Sequence, residues 1–338
     1  MSEILLTGGT GYIATHTAIS LIEAGYKVVA VDNLVNSDKQ ILDKVAQITG
    51  QQVELYIGDV GDEQLMNRIF SEHEIETVIH FAGLKAVGES VSKPLQYYQN
   101  NLDATIVLLK TMLANNVNNL VFSSSATVYD CTNPPERVEG MKLGCTSPYG
   151  WTKFMSEQII RDTAAVNKQF NAINLRYFNP VGAHKSGLIG ELPNGIPNNL
   201  LPYIQQVATG KLDYLRVYGD DYNTPDGTGV RDYVHVCDLA DAHTAAVKYL
   251  EGKQGVCEEI NVGTGKGTSV LEIVKAFESA TGVTIPYRIV GRRPGDVDEY
   301  YANSEKAQKL LGWKSKYTIE DMCADAYRWQ KYLESSQK

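Results

Sequence analysis

Tyr149 and Lys153 stand four residues apart in Tyr149-Gly150-Trp151-Thr152-Lys153, and three consecutive serines, Ser123, Ser124 and Ser125, lie upstream. Four residues is close to one helical turn, so on a helix the phenol and the ammonium share a face. An ammonium beneath a phenol favours its anion. A free phenol titrates near ~10 and each unit is worth about 1.4 kcal/mol, so reaching neutrality takes roughly 4 kcal/mol of phenolate stabilisation. A close lysine and a bound cationic group could supply that together. Such a phenolate is a base suited to taking a proton from a hydroxyl while a hydride leaves the same carbon. On its own the pair is also ordinary surface spacing, so its meaning rests on the elements that position it.

The start of the chain supplies a cofactor reading. Glu3 to Thr7 reads as a buried strand, Gly8-Gly9-Thr10-Gly11-Tyr12-Ile13-Ala14 follows, and an apolar helical pattern runs through Ile19, Leu21, Ile22 and Ala24 to Gly25. Tyr26 to Val31 then forms a second strand ending at Asp32. Strand, glycine turn, helix, strand and acid is the order of a dinucleotide-binding unit. The glycines let the backbone approach a pyrophosphate whose charge meets the helix N-terminus. Asp32 is placed to accept from the adenosine ribose hydroxyls and to repel the 2′-phosphate of NADP, which favours NAD. Ala14 holds the third glycine position, where close packing tolerates alanine. The plainer alternative is a loop that happens to be rich in glycine, and the registered strand, helix and acid weigh against it.

Composition narrows the classes. The chain has 338 residues and 43% hydrophobic residues, enough for a doubly wound domain and a smaller second one. A net charge of −9 argues against nucleic acid or an anionic membrane as the main partner. No apolar run approaches the ~18–20 residues of a membrane span, and no basic and apolar leader precedes the first strand. Cys131, Cys145, Cys237, Cys257 and Cys323 form no CxxC pair, which suits a reducing cytoplasm and leaves no metal spacing.

Further strands read at Val53–Ile57, Thr77–Phe81, Leu120–Phe122 and Phe170–Arg176, separated by helices at Gln64–Phe70, from Pro94 to Asn116 and from Tyr149 to about Asn167. The alternation predicts an α/β fold, a doubly wound parallel sheet with helices on both faces. Ligands of such sheets bind beyond the C-terminal strand ends, where Asp32, Asp59, Phe81, Ser125 and Tyr177 fall. After Asn179-Pro180 the pattern loosens into long loops, then a helix over 238–250 with Asp238 as its N-cap, a strand at Glu259–Val262, a helix at Val270–Thr281, and two closing helices at Ser304–Leu311 and Ile319–Leu333. This predicts a cofactor domain over 1–180, rejoined by a segment near 231–264, and a smaller, discontinuous substrate domain from 181–230 and 265–338.

From about residue 3 to residue 333 the chain resembles the UDP-glucose 4-epimerase family of the extended short-chain dehydrogenase/reductases. The motifs that carry the likeness are HFAGLKAVGES at 80–90, FSSSATVY at 122–129, SPYG at 147–150, LRYFNPVGAH at 175–184, GIPNNLLPYI at 195–204, DGTGVRDYVHVCDLADAH at 226–243 and GRRPGD at 291–296. The resemblance implies that Tyr149 deprotonates the 4-hydroxyl of a UDP-hexose, Ser125 holds that oxygen, and Lys153 binds the nicotinamide ribose. It implies NAD contacts from Gly8, Gly11, Tyr12, Ile13, Asp32, Asn33, Asp59, Val60, Phe81, Ala82, Lys85, Asn100, Ser123 and Tyr177. It implies that UDP-glucose or UDP-galactose is held by Asn179, Asn199, Leu200, Leu215, Tyr218, Arg231, Arg293 and Asp296, with Tyr300 bordering the sugar's 2-substituent. Arginines suit a diphosphate, although a single arginine more often makes a surface ion pair. A homodimer through the helices near 95–116 and 149–167 is implied too. His80, His184, His235 and His243 read as structural residues.

Ala14, Asp130, Trp151 and a shortened 130–146 loop depart from the family pattern without removing a catalytic group. A related 4,6-dehydratase would need carboxylates where this chain has Ser125-Ala126-Thr127. A silent NAD-binding regulator would be expected to lack Tyr149 or Lys153. Activity on UDP-N-acetylhexosamines remains a third alternative.

Overall fold

A computed structural model of the chain describes residues 2–336 apart from 194, 196, 198 and 294. Ile196 and Asn198 of the 195–204 motif and Pro294 of the 291–296 motif therefore lie outside the described residues. The first unit runs β1 (Glu3–Thr7), α1 (Tyr12–Glu23) and β2 (Lys27–Asp32), as the spacing predicts. It continues through α2 (Ile41–Thr49), β3 (Glu54–Ile57), α3 (Glu63–Glu72), β4 (Ile75–His80), α4 (Val87–Ser92), α5 (Pro94–Ala114) and β5 (Asn119–Ser125). The short β6 (Glu136–Arg137) precedes α6 (Pro148–Val166) and β7 (Asn171–Tyr177). Pro148 opens α6 at its first turn, and the Ser147 hydroxyl caps it by accepting from the Gly150 amide.

Beyond β7 come β8 (Asn179–Val181), α7 (Leu200–Ala208), β9 (Leu215–Tyr218), β10 (Val230–His235), α8 (Val236–Leu250), β11 (Cys257–Val262) and β12 (Gly267–Ser269). The chain closes with α9 (Val270–Thr281), β13 (Tyr287–Val290), β14 (Glu299–Ala302), α10 (Glu305–Leu311) and α11 (Ile319–Ser336).

Seven strands form the main sheet in the order β11-β7-β5-β4-β1-β2-β3, and every pairing is parallel. One apolar layer, with Ile4, Leu6, Ile19, Leu239 and Val247, covers one face; another, with Leu5, Met66, Leu108, Phe122 and Ile160, covers the other. The order reverses between β1 and β4, the switch point beyond whose strand ends sheets of this kind form a ligand crevice.

Two details differ from the sequence reading. Val230–His235 pairs with β8, β12 and β14 in a smaller sheet, so the chain returns to the main sheet at α8 and β11 rather than at residue 231. The N-cap of α8 is His235, whose Nδ1 accepts from the Cys237 amide at 3.0 Å. Asp238 lies inside the first turn and spends its carboxylate on the Lys316 and Tyr317 amides, 2.9 and 3.1 Å away.

Candidate active site

At the switch point the β1–α1 turn meets the end of β4. Gly8 has a φ of +66°, and a Cβ there would stand 2.9 Å from the Ala82 nitrogen, so the turn admits only glycine. Gly11 leads α1 with no side-chain cap and no acid in the first turn, which leaves the positive end of the helix facing the crevice. Ala14 is fully buried, as close packing requires. Asp32 closes β2; its Oδ2 accepts from the Thr10 amide at 3.1 Å and its Oδ1 from the Leu34 amide at 2.8 Å. Asn33 donates to Asp59 at 2.9 Å, and Val60 is buried beside it. A glycine cradle, a bare helix N-terminus and a fixed acid beyond β2 fit a dinucleotide with free ribose hydroxyls.

The remaining cofactor-side residues line the same edge. Phe81 packs on His243, with ring centres 4.8 Å apart, and His243 Nε2 is paired with the Tyr177 hydroxyl. The Tyr12 hydroxyl donates to the Gly182 carbonyl at 2.7 Å, while Ile13 packs into the core beneath. Asn100 donates to Asn101 at 3.0 Å. Asn101 was not singled out from the sequence, yet it ties the 82–85 loop to α6: it accepts from the Leu84 amide at 2.8 Å and donates to Thr152 Oγ1 at 2.9 Å.

Ser125 ends β5 and sits beside Tyr177 in register. Its Oγ accepts from the Thr127 amide and hydroxyl, at 3.2 and 3.0 Å, which leaves its own proton for the Tyr149 oxygen. Lys153 lies under the same face of α6, its Nζ donating to the Ser123 carbonyl at 2.7 Å and standing 5.9 Å from the Tyr149 ring centre. Shared helical facing thus holds. Burial pushes Tyr149 up to about 12, against a smaller lowering by Ser125. Burial also brings Lys153 down to about 8, opposed by Glu157. In the chain alone desolvation outweighs the lowering by Ser125, so a phenolate requires the positive charge of a bound group.

Opposite this group, β10 and β14 bring the nucleotide-side residues together. Arg231 and Arg293 both reach Asp296, at 3.7 and 2.9 Å. The Arg231 guanidinium lies 4.8 Å from the Tyr300 ring centre and that of Arg293 5.0 Å from Tyr218. Tyr300 donates to Asn179 Oδ1 at 3.1 Å and packs on Phe178. Asn199 and Leu200 open α7. Leu215 is buried with Leu201, Ile204 and Ile273, and its amide donates to the Pro286 carbonyl at 2.8 Å. Tyr222 went unread; its buried hydroxyl has no partner among the described residues and its ring lies under the Arg292 guanidinium at 3.9 Å.

Asp130 organises its loop rather than disturbing it, since it pairs with Lys142 at 2.8 Å and accepts from the Thr132 amide at 2.8 Å. Trp151 packs edge-on against Phe154. Among the described residues no group of His, Cys, Asp or Glu is arranged to hold a metal, and no helix is long and apolar enough to cross a membrane.

A tyrosine–lysine pair on a helix beside β5, facing a glycine turn across the switch point, places the chain among the extended short-chain dehydrogenase/reductases. The model of the GDP-mannose 4,6 dehydratase family matches residues 5–326, and the chain belongs to that broad group. The UDP-glucose 4-epimerase of Bacillus subtilis is 52% identical over 97% of this chain and 96% of its own. The Bifidobacterium longum UDP-glucose 4-epimerase, solved with NAD+ and UDP, superimposes with a TM-score of 0.94 at 54% identity, covering 98% of this chain and 99% of that one. That of Stenotrophomonas maltophila, solved with NAD and formylated UDP-arabinopyranose, gives 0.97 at 46%, covering 99% and 100%. Within the broad group, the chain is a member of the UDP-glucose 4-epimerase family.

Proposed function

We propose that the chain interconverts UDP-galactose and UDP-glucose by inversion at carbon 4 of the hexose, with NAD held throughout the cycle. The observation that carries this reading is that the Ser125, Tyr149 and Lys153 group is joined to the Arg231–Arg293–Asp296 cluster through Tyr300, which lies under Arg231 and bonds Asn179, two residues beyond Tyr177, the strand partner of Ser125. Tyr149 Oη takes the 4-hydroxyl proton and returns it after the 4-keto sugar has turned over. Ser125 donates to that oxygen and steadies it. Lys153, anchored on the Ser123 carbonyl, keeps a positive charge beneath the phenol and reaches the nicotinamide ribose. Bound NAD supplies the reversible two-electron acceptor for the carbon that bears the hydroxyl. Arg231 and Arg293 hold the diphosphate and Asp296 the ribose hydroxyls, which fixes UDP while the hexose is free to rotate.

The absence of any carboxylate in Ser125-Ala126-Thr127 argues against a dehydratase, because water elimination needs an acid/base pair there. The cofactor lobe is read as 1–180 with 236–264, and the nucleotide-sugar lobe as the rest. Five unpaired cysteines support a cytoplasmic protein. Exposed Leu95 and Ile106 on α5 and Met155 and Val166 on α6 support a homodimer through those helices, which sedimentation at micromolar concentration tests. The decisive experiment is conversion of UDP-galactose to UDP-glucose by the purified protein without added NAD, together with identification of the nucleotide released on denaturation. No conversion, or release of NADP alone, would overturn the reading.

A further inference from the structure

Glu191 stands between the two halves of the crevice and belongs to neither residue set above. Its Oε1 accepts from Lys85 Nζ at 3.3 Å and from Asn199 Nδ2 at 3.1 Å. Lys85 follows β4 on the cofactor side, while Asn199 opens α7 on the nucleotide side. One carboxylate oxygen therefore spans two elements that the chain separates by more than a hundred residues.

The carboxylate is not a floppy surface acid. Its side chain is 11% exposed, against 66% for Lys85. Its own carbonyl accepts from the indole nitrogen of Trp329 on α11 at 2.9 Å. The residue before it is Gly190, where a Cβ would stand 2.4 Å from the Trp329 ring, so backbone and indole are in direct contact. Ala183 and Gly190 bridge antiparallel, and the His184 amide donates to Ile189 at 3.1 Å, which closes the loop that delivers the acid. The charge of Glu191 also reaches the Tyr12 phenol on the first turn of α1.

An exposed lysine–carboxylate pair contributes little stability by itself. A carboxylate held in place by α11 and shared between a cationic and an amide donor has a different use. If a bound nucleotide sugar takes up Asn199, Oε1 is left to Lys85 alone, and the tightened pair steadies an ammonium that has two further donors for the cofactor. If the cofactor fixes Lys85 where it pairs with Oε1, the hold on Asn199 is shared less evenly and Asn199 is freed toward the nucleotide. Either event changes the free energy of the other, and such a change is reciprocal.

We propose that Glu191 is a positioning residue that couples the NAD and UDP sites through Lys85 and Asn199. The proposal rests on the epimerase reading and extends it to communication between the two sites. It predicts that UDP slows the loss of NAD from the holoenzyme, and that this slowing runs through Glu191.

The test follows NAD release from purified holoenzyme into a trap, with and without saturating UDP, alongside calorimetric titration of UDP into the same preparations. The expected result is at least a fivefold slowing by UDP in the unmodified protein, falling below twofold in both Glu191→Gln and Glu191→Ala. Glu191→Gln preserves size and an acceptor for Asn199, so it keeps the experiment readable if the alanine variant does not fold. A role limited to stability would lower the melting temperature but leave the UDP effect intact. Full slowing in Glu191→Gln overturns the assignment to Glu191. UDP binding without any slowing in the unmodified protein overturns the coupling but not the epimerase reading. No UDP binding at all overturns both.

Discussion

Lys153 donates to the main-chain carbonyl of Ser123 at 2.7 Å, so the ammonium of α6 is fastened to the end of β5 rather than to the phenol it accompanies. The strand end thereby fixes the distance from Nζ to the Tyr149 ring, 5.9 Å to its centre. The lysine thus stands beside the phenol without bonding to it.

Tyr149→Phe keeps the ring and removes the ionisable oxygen. Turnover of UDP-galactose should fall at least the ~10²-fold typical of losing a general base, with UDP affinity retained in calorimetry. Near-normal turnover in the purified variant would remove Tyr149 from the mechanism.

Behind the serines lies a fully buried ion pair. Arg176 donates to Glu157 from Nε at 2.9 Å and from a terminal nitrogen at 2.6 Å, and Ser124 donates to the same carboxylate at 2.5 Å. Arg176→Met strands the Glu157 charge inside the protein and should cost roughly 3–5 kcal/mol in urea unfolding. A loss below about 1 kcal/mol would mean the carboxylate finds another partner or a proton.

Acid should weaken the fold through its histidines. Burial holds His16 and His80 down to about 3 and His243 to about 4, from an ordinary 6.5. Because these folded values lie below the unfolded one, the stability they contribute is present above pH 6.5 and is lost as pH falls through the window toward 3 or 4. Each group gives a slope of about 1.4 kcal/mol per pH unit well inside the window. Asp232 and Asp238, raised by burial, act in the opposite sense. Urea midpoints should therefore fall between about pH 6.5 and pH 5, and His80→Asn should flatten the fall. A midpoint that does not move over that range would contradict the assignment.

We propose that Tyr300 sets the room beside the sugar. Its hydroxyl is held by Asn179 and its ring is covered by Arg231, so the side chain has no easy retreat. The unmodified protein should strongly prefer UDP-glucose and UDP-galactose to their N-acetylated counterparts, and Tyr300→Ser should admit the latter while retaining the former. Equal rates on UDP-galactose and UDP-N-acetylgalactosamine before mutation would exclude the gate.

The first unit of the fold was legible because glycine, apolar period and acid each report a local requirement: Gly8 a backbone approach, α1 a buried stripe, Asp32 a strand end. Facing of Tyr149 and Lys153 followed from helical spacing alone. Hydrophobic pattern does not say which sheet a strand joins: 230–235 was not read as a strand, and the segment that rejoins the main sheet was begun near 231 rather than at α8. Nor does it say whether Leu215 turns its side chain inward. Asn101, Glu191 and Tyr222 were silent because their roles come from partners far along the chain, and α2 and α4, at 41–49 and 87–92, are short helices that left no clear period. Spacing reads the charge partners of the phenol but not its burial, which raises Tyr149 until a bound group adds its charge.

The main sheet is finished late. Its edge strand β11 ends at Val262, and α8, which supplies Leu239, Ala246 and Val247 to one face, begins at Val236. A ribosome that has released the first half of the chain has therefore released a sheet with one face partly bare and one edge unpaired. The intervening segment must leave the tunnel before that face can close. Truncation near residue 180 should accordingly yield an aggregating fragment rather than a small NAD-binding protein, and the two lobes should melt together, because the chain passes through the smaller sheet at β10 before it completes the main sheet at β11.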